Sequence, residues 1–280
     1  MRRILLLIFV ALFFTQNCFA FSWGIKPTDE ETLTSFFKKQ EYYANKSNLK
    51  NYLKTYSTNY KSADGFNLET YSKLVRDLWA IYKNIEYDIT IKKITVDKNT
   101  AQVEILEKSF AEIKTSKVYS GELNSNAHII YYLEKIENKW KIVGDTVLDE
   151  TTSILYGTAK GLEVKLSAPN NIKANTEYSA ILEFEPPKNT IAIASIVSDK
   201  VEYPQEPSKE VFRALPEDKI LERLFTSNNE NTNEYVIASI GLTKSNVTPQ
   251  NIQLSLTGFG YTMKRVNIIH NDGESCVENK

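Results

Sequence analysis

Apolar side chains recur at helical spacing over the first third of the chain. Thr28 with Glu31 three residues later has the pattern of a capping box, so a first helix is predicted to begin there. A second helix is predicted from about Ser47, and Asn67 can cap a third one after the turn signal Asp64-Gly65. The predicted apolar stripes are Leu33, Phe36, Phe37, Tyr43 and Ala44; Leu49, Tyr52, Leu53 and Tyr56; and Leu68, Tyr71, Leu74, Val75, Leu78 and Tyr82.

After Asn84 the apolar period changes from helical spacing to two residues, which is typical of strands with one buried face. The phase of this alternation changes at Lys92-Lys93, which predicts a bulge or bend there. Further strands are predicted around residues 101–105 and 129–133. Because short turns join these strands, the segment predicts an antiparallel sheet that the three helices can cover.

The last predicted hairpin of this region is "NKWKIVGDT", residues 138–146. Trp140 and Ile142 alternate with polar residues and are predicted to face the helices. Continued alternation would turn Asp145 outward, and this is the favoured interpretation. A bulge at Gly144 would reverse the phase and turn Asp145 inward.

The second half has about seven short apolar runs separated by turn-forming residues. This punctuation, with little helical patterning, predicts a β-sandwich over residues 162–270 that resembles immunoglobulin-like modules in layout only. A linker is predicted at residues 153–161, where Gly157 and Gly161 act as breakers. The polar residues 271–280 are predicted to form a disordered tail.

One part of the first half resembles the nuclear-transport-factor-two-like superfamily, also called SnoaL-like. The resemblance is carried by Tyr52 to Tyr60 as a helix end, by "ADGFNLETY", by the bend after Ile91 and by "YYLEKIENKWKIVGDT" as a final hairpin. It covers about residues 28–152, under half of the chain, and implies an α+β domain with a cone-shaped, curved antiparallel sheet and three helices. This domain is predicted to span residues 21–152, ahead of the all-β sandwich domain. The superfamily contains isomerases, cyclases, dehydratases and non-catalytic modules, so the resemblance leaves the activity open.

Residues 1–20 have the layout of a secretory signal peptide. Two arginines precede an apolar run from Ile4 to Phe14, and Ala20 offers a cleavage site. The run is too short for a stable membrane-spanning helix, so no transmembrane segment is predicted after cleavage. The sequence therefore predicts an exported protein, either periplasmic or secreted.

Composition excludes several classes of function. The chain has 34 basic residues, two of them in the predicted signal, and 35 acidic residues, so a nucleic-acid partner is not expected. After loss of Cys18 with the signal, Cys276 is the single cysteine, which excludes an internal disulfide and a thiolate metal cluster. No nucleotide-binding or zinc-protease motif is present, so neither a cofactor nor a metal is predicted.

Polar side chains inside a cone would be the candidates for chemistry. The resemblance implies a carboxylate base with tyrosine or acid donors in an apolar pocket, and no residue here matches a catalytic motif of the family. Asp88, His128 and Asp145 are the catalytic candidates, and His270 is interpreted as a strand-end residue. The candidates for ligand binding are Tyr52, Tyr56 and Glu104.

Two hypotheses follow. The favoured one is an exported, non-catalytic binding protein, whose cone holds a small apolar ligand or a partner and whose sandwich attaches to an envelope or extracellular component. The alternative is an acid-base enzyme of the isomerase or dehydratase type, which acts on a small apolar substrate in the cone.

Overall fold

The computed structural model of the protein describes residues 27–115, 119–206, 209–230, 232–248 and 251–269. The predicted signal peptide, His270, Cys276 and the predicted tail lie outside the described residues. None of the helices in this described part is long and apolar enough to cross a membrane.

In the described part of the chain, three helices precede the strands: α1 (Asp29–Asn45), α2 (Leu49–Leu53) and α3 (Leu68–Ile81). The predicted capping box is present, because the Glu31 amide donates to Oγ1 of Thr28 at 3.2 Å and the Thr28 amide donates to Oε2 of Glu31 at 2.8 Å. The side chain of Asn67 caps α3, as predicted.

Helix α2 is shorter than predicted and excludes Tyr56. The chain after it lies beside a later strand, where the Ser57 amide donates to the carbonyl of Ile142 at 2.8 Å and the Ile142 amide donates to the carbonyl of Thr55 at 2.9 Å. These strand-like partners satisfy backbone groups that would otherwise continue the helix.

Among the residues that the structure describes, twelve strands follow the helices. Their bounds are β1 (Glu86–Asp97), β2 (Thr100–Thr115), β3 (Tyr119–Ile136), β4 (Lys139–Gly157), β5 (Lys165–Ser167), β6 (Asn171–Lys173), β7 (Glu177–Glu183), β8 (Ile191–Lys200), β9 (Arg213–Ala214), β10 (Ile220–Thr226), β11 (Glu234–Thr248) and β12 (Asn251–Ile269). The predicted bulge near Lys92-Lys93 is present, as a register shift between Ile91 and Lys93 of β1.

The predicted fold class, a cone-shaped α+β unit followed by a sandwich, is wrong. The described residues are mostly β, and they form a nine-stranded sheet that crosses both halves of the chain in the order β1-β2-β3-β4-β12-β11-β8-β9, with β6 paired in parallel to β12. The reason lies in β4, which continues through residues 153–157 and pairs there with β12. Ile154 and Leu155 are buried in that pairing, so this part of the predicted linker is a sheet strand.

A smaller sheet of three strands, in the order β10-β7-β5, accompanies the second half of the large sheet. Its buried residues form one hydrophobic cluster with those of β8, β11 and β12. The other cluster joins the helices to the inner faces of β1–β4. These are called the aliphatic cluster and the aromatic cluster below.

Candidate binding cavity

A cavity of about 530 Å³ lies within the aromatic cluster, between the inner faces of β1–β4, helix α3 and strand β12. Aromatic side chains form much of its wall, among them Tyr52, Tyr60, Tyr71, Trp79, Tyr87 and Tyr131. Aliphatic side chains complete it, among them Leu74, Leu78, Ile89, Ile129, Val147 and Ile154. This space is called the aromatic cavity.

The second half of the chain closes the aromatic cavity. Tyr261 and Arg265 of β12 line it, as does Tyr235 of β11. The connection that follows β8 also contributes Tyr203, whose hydroxyl donates to the carboxylate of Asp77 on α3. The cavity is therefore built by both halves, and the first half alone would leave it open along one side.

Three of the predicted site residues lie away from the cavity. His128 and Glu104 pair with each other, with Nε2 of His128 2.7 Å from Oε1 of Glu104, and both side chains are about one third exposed. Asp88 is exposed on β1. The structure thus does not bring these candidates together with the cavity walls.

Asp145 lines the cavity, so the favoured outward orientation is wrong. Tyr132 pairs with Gly144 and Leu133 pairs with Ile142, which leaves Val143 as an extra residue in β4. This bulge reverses the alternation after Ile142 and places Asp145 directly across from Tyr131.

Tyr60 is held against Asp145 by the backbone beside β4. The Lys61 amide donates to the carbonyl of Val143 at 3.1 Å, and an added Cβ at Gly144 would lie 2.9 Å from the Lys61 carbonyl oxygen. Only glycine admits this approach without displacement. The Tyr60 hydroxyl then donates to Oδ2 of Asp145 at 2.5 Å. Burial raises the pKa of Asp145 to about 6, although this hydrogen bond opposes the shift.

Three tyrosine hydroxyls form a closed triangle at one wall. The Tyr52 hydroxyl oxygen lies 3.1 Å from that of Tyr56 and 2.9 Å from that of Tyr71, and the Tyr56 and Tyr71 oxygens are 3.0 Å apart. Tyr52 and Tyr71 line the cavity, whereas Tyr56 is buried beside them and also receives a hydrogen bond from Nε2 of Gln40. Burial raises the pKa of all three phenols, so they stay neutral and act as hydrogen-bonding groups.

A buried ion pair joins the turn before α3 to β12. Nη2 of Arg265 donates to Oδ1 of Asp64 at 2.5 Å, and the two side chains are 1% and 8% exposed. Nδ2 of Asn233 donates to the same oxygen at 2.7 Å. Burial lowers the pKa of Arg265, but the contact with Asp64 outweighs it and the net shift is upward. The only basic side chain among the described lining residues is therefore already neutralised.

Two further carboxyl groups face the cavity on either side of Ala127. In the sheet register, Glu107 of β2 and Glu150 of β4 each lie directly across from this alanine of β3. Adjacent strands are about 4.8 Å apart, so the two backbones are roughly 10 Å apart across a small side chain. Glu150 accepts a hydrogen bond from the Tyr235 hydroxyl at 2.8 Å, and burial raises its pKa.

Glu107 has no such donor. Within the described residues, no hydrogen bond or ion pair reaches its carboxyl group. Burial raises the pKa of Glu107 to about 7, and the neighbouring charges of Glu150 and Asp145 add to the shift. An unpartnered carboxyl group in an apolar cavity is a frequent mark of a functional site.

Neither Glu107 nor Glu150 was among the predicted site residues. Glu107 could have been identified from the alternation along β2. It lies on the same face as Val103 and Ile105, which are fully buried, whereas Glu104 lies on the opposite face. Glu150 could not be found in this way, since a second bulge at Leu148 changes the phase of β4 again. In the part of the chain that the structure describes, no three His, Cys, Asp or Glu side chains are grouped as a metal site would require.

Comparisons with known proteins give no family. No family model matches the chain, and no curated protein matches it. Several solved structures are similar to part of it. The Bd1075 protein of Bdellovibrio bacteriovorus is 16% identical with a TM-score of 0.35, over 41% of this chain and 38% of that one.

Two shorter proteins are matched over most of their length. The Kfla4162 protein of Kribbella flavida is 9% identical with a TM-score of 0.37, over 42% of this chain and 88% of that one. A protein of unknown function with a cystatin-like fold from Nostoc punctiforme is 14% identical with a TM-score of 0.34, over 43% and 91%. Likenesses this distant carry no conclusion about what the present chain does.

Proposed function

We propose that the protein binds a small, mainly apolar ligand in the aromatic cavity. The observation that carries this proposal is the cavity itself, whose volume of about 530 Å³ falls in the range of small-molecule sites. Its walls are largely aromatic and aliphatic, with a few polar groups at defined positions, which is the usual composition of such sites.

The favoured role is binding without catalysis. Of the three catalytic candidates, only Asp145 reaches the cavity, and its carboxylate is engaged by the Tyr60 hydroxyl. The three tyrosine hydroxyls likewise hydrogen-bond to one another. Their main role is therefore to stabilise the cavity wall, and contact with a ligand would be secondary.

A neutral fluorescent probe tests this proposal. N-phenyl-1-naphthylamine should bind the purified protein with a rise in fluorescence, since its rings would enter an apolar site. Ala127→Phe should abolish this binding because Ala127 lines the cavity between two strands, and the added ring would occupy the space.

Asn126→Phe provides the matched control. Asn126 is exposed on the opposite face of the same strand, so the same ring placed there should leave probe binding unchanged. Unchanged probe binding in Ala127→Phe would overturn the proposal, because the probe would then bind outside the aromatic cavity.

A second candidate function is acid-base catalysis on a small apolar substrate. The observation that favours it is Glu107, whose pKa of about 7 suits a group that accepts and returns a proton near neutral pH. Proton exchange at the carbon next to the carbonyl of cyclohexanone, followed by NMR in deuterated water, tests this alternative. Exchange that depends on protein and disappears in Glu107→Gln would support it, and exchange at the buffer rate would exclude it for this substrate class.

Export, attachment and kinship are also proposals. Residues 1–20 support an exported protein, periplasmic or secreted, and cell fractionation with mass measurement of the mature N-terminus would test this.

Exposed apolar side chains in the second half, such as Val211, Phe212 and Leu224, support attachment to an envelope component through that half. Kinship with the SnoaL-like superfamily stays a prediction that rests on the sequence patterns alone.

A further inference from the structure

The charges that face the aromatic cavity are unbalanced. Four carboxyl groups line it, and Arg265 is the one basic side chain among the described lining residues. Arg265 is paired with Asp64, so this cation and this anion cancel. Arg265 also lies close enough to Asp145 and Glu150 to lower the pKa of each, against the effect of burial. Glu107 has no basic side chain acting on it among the described lining residues.

These three carboxyl groups differ in the hydrogen-bond donors that the protein offers them. The Tyr60 hydroxyl donates to Asp145 and the Tyr235 hydroxyl donates to Glu150. Glu107 receives no donor within the described residues, and its lateral neighbours on the inner face are Ile89 and Ala127, which have none to offer. Among the described residues, Glu107 is thus the carboxyl group left free to accept a hydrogen bond from a ligand in the cavity.

The position of Ala127 creates room for that donor. Glu107 and Glu150 flank this small residue from the two adjacent strands, so a group above the methyl would lie between two carboxylates. Two carboxylates facing one space repel each other, and a positive charge placed between them removes that repulsion. A neutral or anionic group there would leave it in place.

The surrounding rings favour the same kind of occupant. Tyr52, Tyr87 and Tyr131 line the cavity around Glu107, and Nε1 of Trp79 donates to the Tyr87 hydroxyl at 2.9 Å, which fixes both rings. The faces of aromatic rings attract organic cations, and this attraction is stronger where water is excluded. Aromatic walls above a carboxylate are thus suited to a protonated amine that carries an apolar body.

We infer that the ligand of the aromatic cavity is an apolar amine, whose ammonium group lies above Ala127 between Glu107 and Glu150 and whose body contacts the aromatic wall. This inference rests on the proposed function, because it names the ligand class of the same cavity. An anionic ligand does not fit, since no described side chain in the wall offers it an unpaired positive charge.

Three indole compounds of similar shape test the charge of the ligand. Tryptamine is a cation near neutral pH, 3-propylindole is neutral and indole-3-propionate is an anion. Titration calorimetry should show tryptamine binding at least about tenfold more tightly than 3-propylindole, as expected for a charge-assisted contact in an apolar site. Indole-3-propionate should bind most weakly.

Glu107→Gln should remove the advantage of tryptamine over 3-propylindole while leaving 3-propylindole binding intact. Glu104→Gln is the matched control, because this residue lies on the outer face of the same strand and pairs with His128. The control should retain the full advantage of tryptamine.

The failures of the two proposals are distinguishable. Equal binding of tryptamine and 3-propylindole would overturn the amine inference and leave the binding cavity in place. Binding of N-phenyl-1-naphthylamine with no binding of any indole would do the same. If neither the naphthylamine nor any indole binds, the cavity is not a binding site and both proposals are wrong.

Discussion

The aromatic and aliphatic clusters solve the problem of burying a sheet face in different ways. In the aliphatic cluster, alanines at Ala180, Ala192, Ala194 and Ala238 alternate with branched side chains, and all four are buried. Small side chains let the two sheets approach closely, and close packing then fills the space. In the aromatic cluster, large rings keep the walls apart and a cavity of about 530 Å³ remains.

The difference indicates that the two parts of the large sheet have different roles, one in stability and the other in binding. The aliphatic cluster stabilises the second half, whose strand β12 then forms one wall of the aromatic cavity. Hydroxyl and carboxyl groups that a ligand could contact line the cavity of the aromatic cluster, among them those of Tyr52, Tyr71, Glu107 and Asp145. Variants in the two clusters should therefore differ in their effects on stability and on binding.

The largest loss of stability is expected where the two regions are linked. Arg265→Met would leave the Asp64 carboxylate buried without its guanidinium, and breaking a buried pair in this way costs about 3–5 kcal/mol. Urea unfolding would measure this cost. The double variant Asp64→Asn with Arg265→Met should recover much of it, because the Asp64 charge is then removed together with its partner. Equal losses for the single and double variants would show that the charge is not the cause.

A loss of similar size is expected at Trp140 within the aromatic cluster. Trp140 is 6% exposed, and its removal in Trp140→Ala would leave a void that costs about 3–4 kcal/mol. Ile136→Ala on the neighbouring strand is the control, because Ile136 is 39% exposed and should lose little. A loss below about 1 kcal/mol for Trp140→Ala would contradict the burial of this ring.

Local patterns in the sequence predicted local structure well. The Thr28 capping box, the Asn67 cap and the bulge after Ile91 all depend on residues within a few positions of one another. The continuous sheet was missed because it depends on pairing between β4 and β12, for example Gly157 with Gly258. The spacing of apolar residues within each segment gives no information about which strands pair. The end of β4, which joins the two halves, was therefore interpreted as a linker.

The candidate site was predictable only in part, for a related reason. Alternation of apolar and polar residues identifies which side chains share a face of a strand only up to the next bulge. It could therefore have identified Glu107 on β2, but it gave the wrong face for Asp145, which follows the bulge at Val143 of β4. The contributions of Tyr235 and Arg265 come from strands far along the chain. Their role in the cavity follows from tertiary pairing, which the sequence patterns did not contain.

A smaller effect should separate leucines of the two clusters. Leu182 is fully buried among close-packed neighbours, so Leu182→Ala should cost about 2–4 kcal/mol. Leu74 already faces the cavity, and Leu74→Ala would widen an existing space and lose fewer contacts, so a cost of about 1 kcal/mol is expected. Thermal unfolding of both variants measures the difference. Equal costs would mean that the cavity wall is as tightly packed as the aliphatic cluster.

The most pH-dependent effect is expected at Glu107. Because the pKa is raised to about 7 in the folded protein, the proton stabilises the fold at low pH, and this contribution is lost as the pH rises from about 4.5 to 7. Above that range the folded protein must hold an ionised carboxylate in an apolar wall. Glu107→Gln removes this cost, so it should stabilise the protein by about 1–3 kcal/mol near pH 8.

Unfolding by urea at about pH 4.5, 6 and 8 would separate this effect from a general change in packing. The gain from Glu107→Gln should disappear at the lowest pH, where the carboxyl group is protonated in the folded protein and about half protonated in the unfolded chain. Glu104→Gln on the outer face should show no such gain near pH 8, since the Glu104 side chain is 31% exposed and its charge remains in contact with water. If Glu107→Gln stabilises the protein equally at every pH, the ionisation of Glu107 is not the cause of the effect. The predicted difference between the inner face of β2, with Glu107, and its outer face, with Glu104, would then be wrong.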